Sequence, residues 1–169
     1  MTTANKITVL RVILVPVFLI LVYTGNMVPA FIVYVVACLS DFLDGYIARK
    51  YHQISDFGKF MDPLADKMLV ISAMCYFIET GRIPGWVVAI VCVREFAVGG
   101  LRMLAAEKQI VIAAAFSGKF KTFSTMVGLA IMLIYSNPIV DIVVWIIILL
   151  TTVYSGIEYF IKNKGAFNS

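Results

Sequence analysis

The sequence predicts an all-α integral membrane protein with six transmembrane helices and both termini in the cytoplasm. The 169 residues are 62% hydrophobic and only 14% charged, whereas soluble domains contain about 25% charged residues. Apolar runs of about 20 residues, the length that crosses the hydrocarbon layer, recur between short polar breaks. The basic residues collect on one side of the membrane when six spans are drawn.

Six apolar segments are long enough, or nearly so, to cross the membrane, and lipid allows them only as helices. The predicted spans are 7–23, 28–48, 60–78, 84–104, 120–135 and 139–160. The stretches TGN, TGRIPG and SNP between spans are typical of turns. We treat residues 1–169 as a single membrane domain.

The lysines and arginines orient the six spans. With both termini on one side, the basic residues at the chain ends and after the second and fourth spans all fall on that side. Only Arg82 falls on the other. Since positively charged segments stay in the cytoplasm, the first side is predicted to be cytoplasmic. The net charge of +4 therefore reflects orientation and anionic ligands, and it does not indicate nucleic-acid binding.

Cys38, Cys75 and Cys92 each lie in an apolar run, and their number is odd. None has a closely spaced partner in the sequence. We interpret them as buried small apolar side chains rather than as disulfide partners or metal ligands.

Four aspartates at helical spacing lie around the junction of the second and third spans. Asp41 and Asp44 are three residues apart, and Asp62 and Asp66 are four apart, so each pair lies on one side of its helix. A short loop joins the two helices, which predicts antiparallel neighbours. Four carboxylates placed together repel each other unless they take up protons or bind cations. Such ligands suit Mg²⁺ or Mn²⁺, and two ions would neutralise them, as in two-metal phosphoryl-transfer sites.

Structural roles for the same acids stay open at this point. Asp62 followed by Pro63 fits a helix N-cap and first turn, and Ser55 or Asp56 fits the same role. The acids of the second span equally fit ion pairs with nearby basic residues. Their combination at helical spacing near the membrane surface favours a functional site, because ionisable groups at this depth usually serve function.

The residues that follow the first acid pair suit a phosphate ligand. Gly45 permits close approach of a ligand, although helix packing is the alternative. Arg49, one turn later, suits a phosphate oxygen and equally suits anchoring at the cytoplasmic surface. His52, the only histidine, is predicted to be a solvated loop residue.

Residues 41–66 read D-x-x-D-G-x-x-A-R, then eight residues, then G-x-x-x-D-x-x-x-D. This pattern resembles the signature of the CDP-alcohol phosphotransferases, whose eight positions have fixed spacing. The matching residues are Asp41, Asp44, Gly45, Ala48, Arg49, Gly58, Asp62 and Asp66. The six-helix membrane architecture of that family agrees with the predicted spans.

The resemblance implies a reaction in which an alcohol attacks the β-phosphate of a CDP-linked lipid and CMP leaves. It implies that Asp41, Asp44 and Asp62 hold Mg²⁺ or Mn²⁺, as two ions, together with Asp66. Asp66 would also take the proton of the acceptor hydroxyl.

The resemblance also implies contacts to the CDP-lipid, including two positions on the first helix that border the nucleotide pocket. Ser55 is not fixed by the signature. The implied CDP-lipid-binding residues are Gly45, Arg49, Ser55, Gly58, Asn5 and Thr8.

Further segments resemble the bacterial phosphatidylglycerophosphate synthases within this family. They are NKITVLRVILVPVF, MDPLADKMLV, REFAVGGLR, SGKFKT and SGIEYF, and they extend from Asn5 to Phe160. This resemblance implies CDP-diacylglycerol as the donor, sn-glycerol 3-phosphate as the acceptor, and a homodimer. It also implies a bacterial inner-membrane location with the active site facing the cytoplasm.

Four cations around the fourth and fifth spans are the candidate site for the acceptor phosphate: Arg94, Arg102, Lys119 and Lys121. A phosphorylated acceptor needs a basic pocket. Arg94 lies inside a predicted span and needs a partner, which is either an acid such as Glu95 or the phosphate.

Two alternatives remain at the level of function. Inositol phosphate as acceptor would use the same basic pocket, whereas free serine would not need as many cations. A cation transporter with the aspartates as its ion path is the alternative from another class. It leaves the spacing of Gly45, Arg49 and Gly58 unexplained.

Overall fold

The computed structural model describes the backbone of residues 3–50, 56–107 and 116–163, and the side chains of 7–40, 64–65, 67–103, 105 and 116–163. Every regular element within these ranges is an α-helix. The helices are α1 (Thr3–Tyr23), α2 (Met27–Lys50), α3 (Asp56–Glu79), α4 (Gly85–Glu107), α5 (Phe116–Ile134) and α6 (Pro138–Lys162). Each predicted span corresponds to one helix, so the all-helical prediction is confirmed.

The predicted glycine turns end α1 and α3. Gly25 and Gly81 have φ angles of 78° and 71°, in the left-handed region that glycine adopts without steric cost. After α1, the Asn26 amide donates to the Leu21 carbonyl at 2.9 Å, and an equivalent bond follows α3. This is the Schellman pattern, which satisfies the last carbonyls of a helix and reverses the chain.

Helix starts agree with the predicted break at SNP and correct one alternative for the aspartates. The Asn137 side chain accepts a hydrogen bond from the Ile139 amide at 2.9 Å, and Pro138 is the first residue of α6. Asp62 does not cap α3, because that helix already begins at Asp56.

Contacts between helix ends define an up-and-down bundle. The Tyr23 hydroxyl, at the end of α1, donates to Glu79 at the end of α3 at 2.7 Å. Arg82, just after α3, donates to Asp141 in the first turn of α6 at 2.9 Å. The ends of α1, α3 and α5 therefore lie at one end of the bundle. The starts of α1, α3 and α5 lie at the other, with the ends of α2 and α4.

The two helices that carry the aspartates are central to the packing. α2 and α3 contact each other, and both pack against α1 and α5. α4 packs against α3 and α6, and α6 also packs against α5. The predicted contact between α2 and α3 is thus confirmed. Phe18, Tyr34, Met74, Phe77 and Leu129 fill the space between the helices and are almost fully buried.

Some polar groups lie inside this bundle, and many large apolar groups lie on its outer surface. Arg11, Lys121 and Thr152 are buried, whereas Phe116 is 82% and Ile139 73% exposed. Within the described ranges, α6 is the one helix long and apolar enough to cross a membrane by itself, with a mean hydropathy of 2.1 over its best window. Shorter apolar segments are 7–23 and 27–40. Charged residues inside α3, α4 and α5 interrupt their apolar runs.

The cysteine prediction is confirmed in one respect and wrong in another. All three residues are thiols that form no disulfide. They are not buried, however, since Cys75 is exposed and Cys38 and Cys92 are half-buried. Cys38 and Cys92 pack against the edge of the core, whereas Cys75 lies on the outer surface, which in this molecule is itself apolar.

Replacing Gly128 with alanine is expected to destabilise the fold by about 1–3 kcal/mol, as overpacking does in a filled core. A Cβ at this position of α5 would lie 2.8 Å from Cγ1 of Val144 on α6, and a β-branched neighbour has little freedom to rotate. The measurement is the free energy of unfolding in mixed detergent micelles. Gly99→Ala is the matched control, because its Cβ meets nothing within 4 Å. Equal stability of the two variants would contradict the prediction.

Candidate active site

The signature aspartates lie on two neighbouring helices. Asp41 and Asp44 belong to α2, and Asp62 and Asp66 belong to α3. Both pairs fall within continuous helix, so their spacing keeps each pair on one side of its helix. The four side chains lie outside the described residues. Among the side chains that the structure describes, no three His, Cys, Asp or Glu groups come together as a metal site.

Four carboxylates on two packed helices are a donor set that fits a hard divalent cation. Oxygen-only ligands suit Mg²⁺ and Mn²⁺, and no softer ligand belongs to the set. The helix backbone and the donor chemistry therefore agree with the predicted metal site.

The predicted CDP-lipid contacts are described only in part. Thr8 lies on α1 and is fully buried in the bundle. The backbones of Asn5, Gly45, Arg49 and Gly58 are helical, but their side chains lie outside the described residues. Ser55 lies outside them altogether.

One carboxylate, that of Glu95, is shared by cations from three helices. Lys121 Nζ on α5 donates to Glu95 Oε1, and Arg94 Nη1 donates to the same oxygen at 3.1 Å. Lys67 Nζ on α3 lies 3.9 Å from Oε2. We name these four residues the Glu95 cluster. All four are largely buried, with Lys121 only 4% exposed in its side chain.

The Glu95 cluster lies at the same level of α3 as the last signature aspartate. Lys67 follows Asp66 directly, and consecutive helix residues are about 1.5 Å apart along the axis. The cationic cluster and the aspartate signature are therefore adjacent in the fold, although α4 and α5 come much later in the chain.

Two glycines make room for the Arg94 side chain. A Cβ at Gly156 would lie 3.3 Å from Arg94 Cγ, and a Cβ at Gly118 would lie 3.7 Å from Nη2. The Arg94 side chain thus passes α6 at its Cγ and reaches α5 with its guanidinium. Its Nε is buried and has no hydrogen-bond partner among the described residues, so the group retains donor capacity beyond its bond to Glu95.

The other two predicted phosphate ligands lie apart from this cluster. Arg102 is exposed, and its guanidinium lies over the ring of Tyr159, 5.6 Å from the centroid. Lys119 is exposed, whereas Lys121 is buried, because two residues along a helix differ by about 200° in direction. Of the four predicted cations, the structure brings Arg94 and Lys121 together.

Sequence reasoning underrated three charged residues. The sequence predicts Glu95 only as a possible ion-pair partner of Arg94, and it assigns no site role to Lys67 or Arg11. Arg11 is 1% exposed, one turn from Thr8 on the buried face of α1. Each of these charged residues lies within or beside an apolar run. Because charges in such positions usually serve function, this feature of the sequence would have identified them as candidate site residues.

One cavity among the described residues lies away from these groups. It measures about 450 Å³ between α5 and α6, and Phe116, Phe120, Leu150 and Tyr154 form most of its apolar wall. A much smaller cavity of about 20 Å³ adjoins Lys67, Glu95 and Lys121. The larger cavity contains none of the predicted site residues.

Comparison with known proteins agrees with the signature. A family model described as CDP-alcohol phosphatidyltransferase matches residues 1–154. A Bacillus subtilis protein named CDP-diacylglycerol–glycerol-3-phosphate 3-phosphatidyltransferase is 36% identical over 98% of this chain and 96% of its own length. A Mycobacterium tuberculosis protein named probable phosphatidylglycerophosphate synthase is 37% identical over 92% of this chain and 78% of its own.

A third relative extends the same comparison. A Rickettsia typhi protein that shares the name of the Bacillus relative is 33% identical over 96% of this chain and 97% of its own length. The family resemblance predicted from Asp41 to Asp66 is confirmed. The chain belongs to the CDP-alcohol phosphatidyltransferase family.

Proposed function

We propose that this protein transfers the phosphatidyl group of CDP-diacylglycerol to sn-glycerol 3-phosphate, giving phosphatidylglycerophosphate and CMP. The family membership and the names of the relatives support this reaction. The observation that carries the choice of acceptor is the Glu95 cluster, which places buried cations beside the aspartate signature. A phosphorylated acceptor matches such a pocket.

The proposed donor site lies between α2 and α3. Asp41, Asp44, Asp62 and Asp66 would hold Mg²⁺ or Mn²⁺, and two such ions would neutralise the diphosphate and stabilise the leaving CMP. Asp66 accepts the proton of the acceptor hydroxyl as that oxygen attacks the β-phosphate.

The nucleotide and the lipid are held by other groups of the same helices. Gly45 and Gly58 allow the diphosphate to approach the backbone, and Arg49 binds a phosphate oxygen. Ser55, Asn5 and Thr8 complete the CDP contacts.

In the proposed acceptor site, Arg94 and Lys121 bind the phosphate of glycerol 3-phosphate. They come from different helices and meet at one point, so they hold the phosphate in a single orientation. This fixes the attacking hydroxyl relative to the donor, which is the main source of catalysis when little covalent chemistry falls to the protein. Arg102 and Lys119 remain predicted contributors at the periphery of this site.

The bundle is proposed to cross a bacterial inner membrane six times, with both termini and the active site at the cytoplasmic face. The apolar outer surface and the buried charges support this placement. A homodimer remains a prediction from the family. The chain belongs to a family of phosphatidyltransferases, which are enzymes, and this leaves the cation-transporter alternative without support.

The test of the acceptor is CMP release by purified protein in detergent with CDP-diacylglycerol and Mg²⁺. Glycerol 3-phosphate, inositol phosphate and serine are supplied in separate reactions. We expect CMP only with glycerol 3-phosphate, and none after chelation of the metal. CMP with inositol phosphate or serine instead would preserve the family reaction and overturn the proposed acceptor.

A further inference from the structure

The Glu95 cluster contains more positive than negative charge. Lys67, Arg94 and Lys121 contribute three positive charges and Glu95 one negative charge, which leaves two positive charges among these four residues. A phosphate monoester carries about −1.5 to −2 at neutral pH, a charge of the sign that a group of three cations attracts.

We propose that Glu95 is a positioning residue that orders Arg94 and Lys121 for the acceptor phosphate and thereby sets the affinity for the acceptor. This inference rests on the proposed function. Glu95 does not touch the reacting atoms in this scheme. It acts through the two cations that it holds.

The shared oxygen gives the physical basis for this role. Arg94 Nη1 and Lys121 Nζ both donate to Oε1 of Glu95, so one atom fixes the separation of two cations that would otherwise repel each other. Arg94 then keeps donors for a second acceptor, since a guanidinium has five and its buried Nε has no partner among the described residues. Lys67, on the other carboxylate oxygen, holds the carboxylate itself from α3.

The geometry favours positioning over simple competition between Glu95 and the phosphate. Glu95 satisfies one Nη of Arg94 and leaves its buried Nε without a partner among the described residues. A Cβ at residue 118 would lie 3.7 Å from Nη2, so the glycine at this position adds no side chain of its own beside the guanidinium. Phosphate can therefore bind without displacing the carboxylate, and the cations stay preorganised between turnovers.

Glu95→Gln tests this role, because it keeps the shape of the side chain and removes the charge that holds both cations. We expect the KM for glycerol 3-phosphate to rise about 10- to 100-fold, the effect of losing hydrogen bonds to a charged group. The KM for CDP-diacylglycerol should stay unchanged. Glu95→Asp keeps the charge on a side chain that is one methylene shorter, so it should recover part of the affinity for glycerol 3-phosphate. This variant replaces Glu95→Gln in the test if the glutamine variant fails to fold.

Glu79→Gln is the matched control, because Glu79 lies at the opposite end of the bundle and accepts a hydrogen bond from Tyr23. An unchanged or lowered KM for glycerol 3-phosphate in Glu95→Gln would overturn the inference. An unchanged KM would indicate a purely structural ion pair. A lowered KM would indicate a carboxylate that competes with the phosphate.

A binding measurement without turnover separates this inference from the proposed function. Glycerol 3-phosphate and inorganic phosphate are titrated against wild type and Glu95→Gln, and the rise in melting temperature is followed. If wild type binds these anions more tightly than the variant but releases no CMP, the inference stands and the proposed reaction fails. If wild type neither binds the anions nor releases CMP with glycerol 3-phosphate, both fail.

Discussion

Asp66→Asn is expected to lower CMP release by about 10²- to 10⁴-fold, the range that a positioned general base contributes. Asparagine has nearly the same shape as aspartate, but it cannot accept the proton of the attacking hydroxyl. It is also a weaker ligand for a hard cation. Because both effects act mainly in the transition state, kcat and kcat/KM should fall together. The measurement is steady-state CMP release with saturating glycerol 3-phosphate and Mg²⁺.

Asp56→Asn provides the matched control for this substitution. Asp56 begins the same helix, α3, and lies outside the signature, so its replacement changes the same charge without touching the proposed metal ligands. We expect Asp56→Asn to retain activity. Activity of Asp66→Asn close to that of wild type would contradict the assigned role. Equal losses in both variants would indicate that the net charge of α3 matters, and not the position of one carboxylate.

Arg82→Ala is expected to lower the free energy of unfolding by about 3–5 kcal/mol, the cost of breaking a buried ion pair from one side. Nε of Arg82 donates to Asp141 Oδ2 at 2.9 Å, and Nη2 donates to Oδ1 at 2.6 Å. The same guanidinium donates to the carbonyls of Met132 at 2.7 Å and Tyr135 at 2.6 Å. One side chain thus joins the α3–α4 turn, the last turn of α5 and the first turn of α6.

The bidentate contact between Arg82 and Asp141 allows a test with graded substitutions. Arg82→Lys keeps the charge but loses the bidentate contact, so its stability should lie between those of wild type and Arg82→Ala. The double variant Arg82→Ala/Asp141→Ala should lose less than the sum of the two single variants, because neither charge is left alone. The measurement is unfolding in mixed detergent micelles titrated with dodecyl sulfate. Additive losses would show that Arg82 and Asp141 stabilise the fold independently.

Activity should respond differently from stability in these variants. Glu95 lies about 15 Å along α4 from the start of that helix, at 1.5 Å per residue, so the Arg82 pair is remote from the Glu95 cluster. CMP release by Arg82→Ala should match wild type at temperatures well below its unfolding transition. A specific loss of kcat at low temperature would show that the far end of the bundle is coupled to the active site.

The local features of this chain are determined by the sequence. Apolar runs and the breaks that contain Gly25, Gly81 and Asn137 predict the six helices, because left-handed glycines and an N-capping asparagine act within a few residues of the chain. The aspartate signature is equally local. Helical spacing from Asp41 to Asp44 and from Asp62 to Asp66 is enough to indicate a paired-carboxylate site and the family that uses it.

Only the tertiary structure decided which distant charges meet. Sequence alone could not distinguish Lys119 from Lys121, because the bundle buries one face of α5 and exposes the other. The sequence also predicts that Arg82 is the one basic residue on the side opposite the other lysines and arginines. The fold explains this exception, because Arg82 pairs with Asp141, 59 residues later. The physical reason is the same in both cases. A buried charge is stable only beside its counter-charge, and helix packing selects that partner across the whole length of the chain.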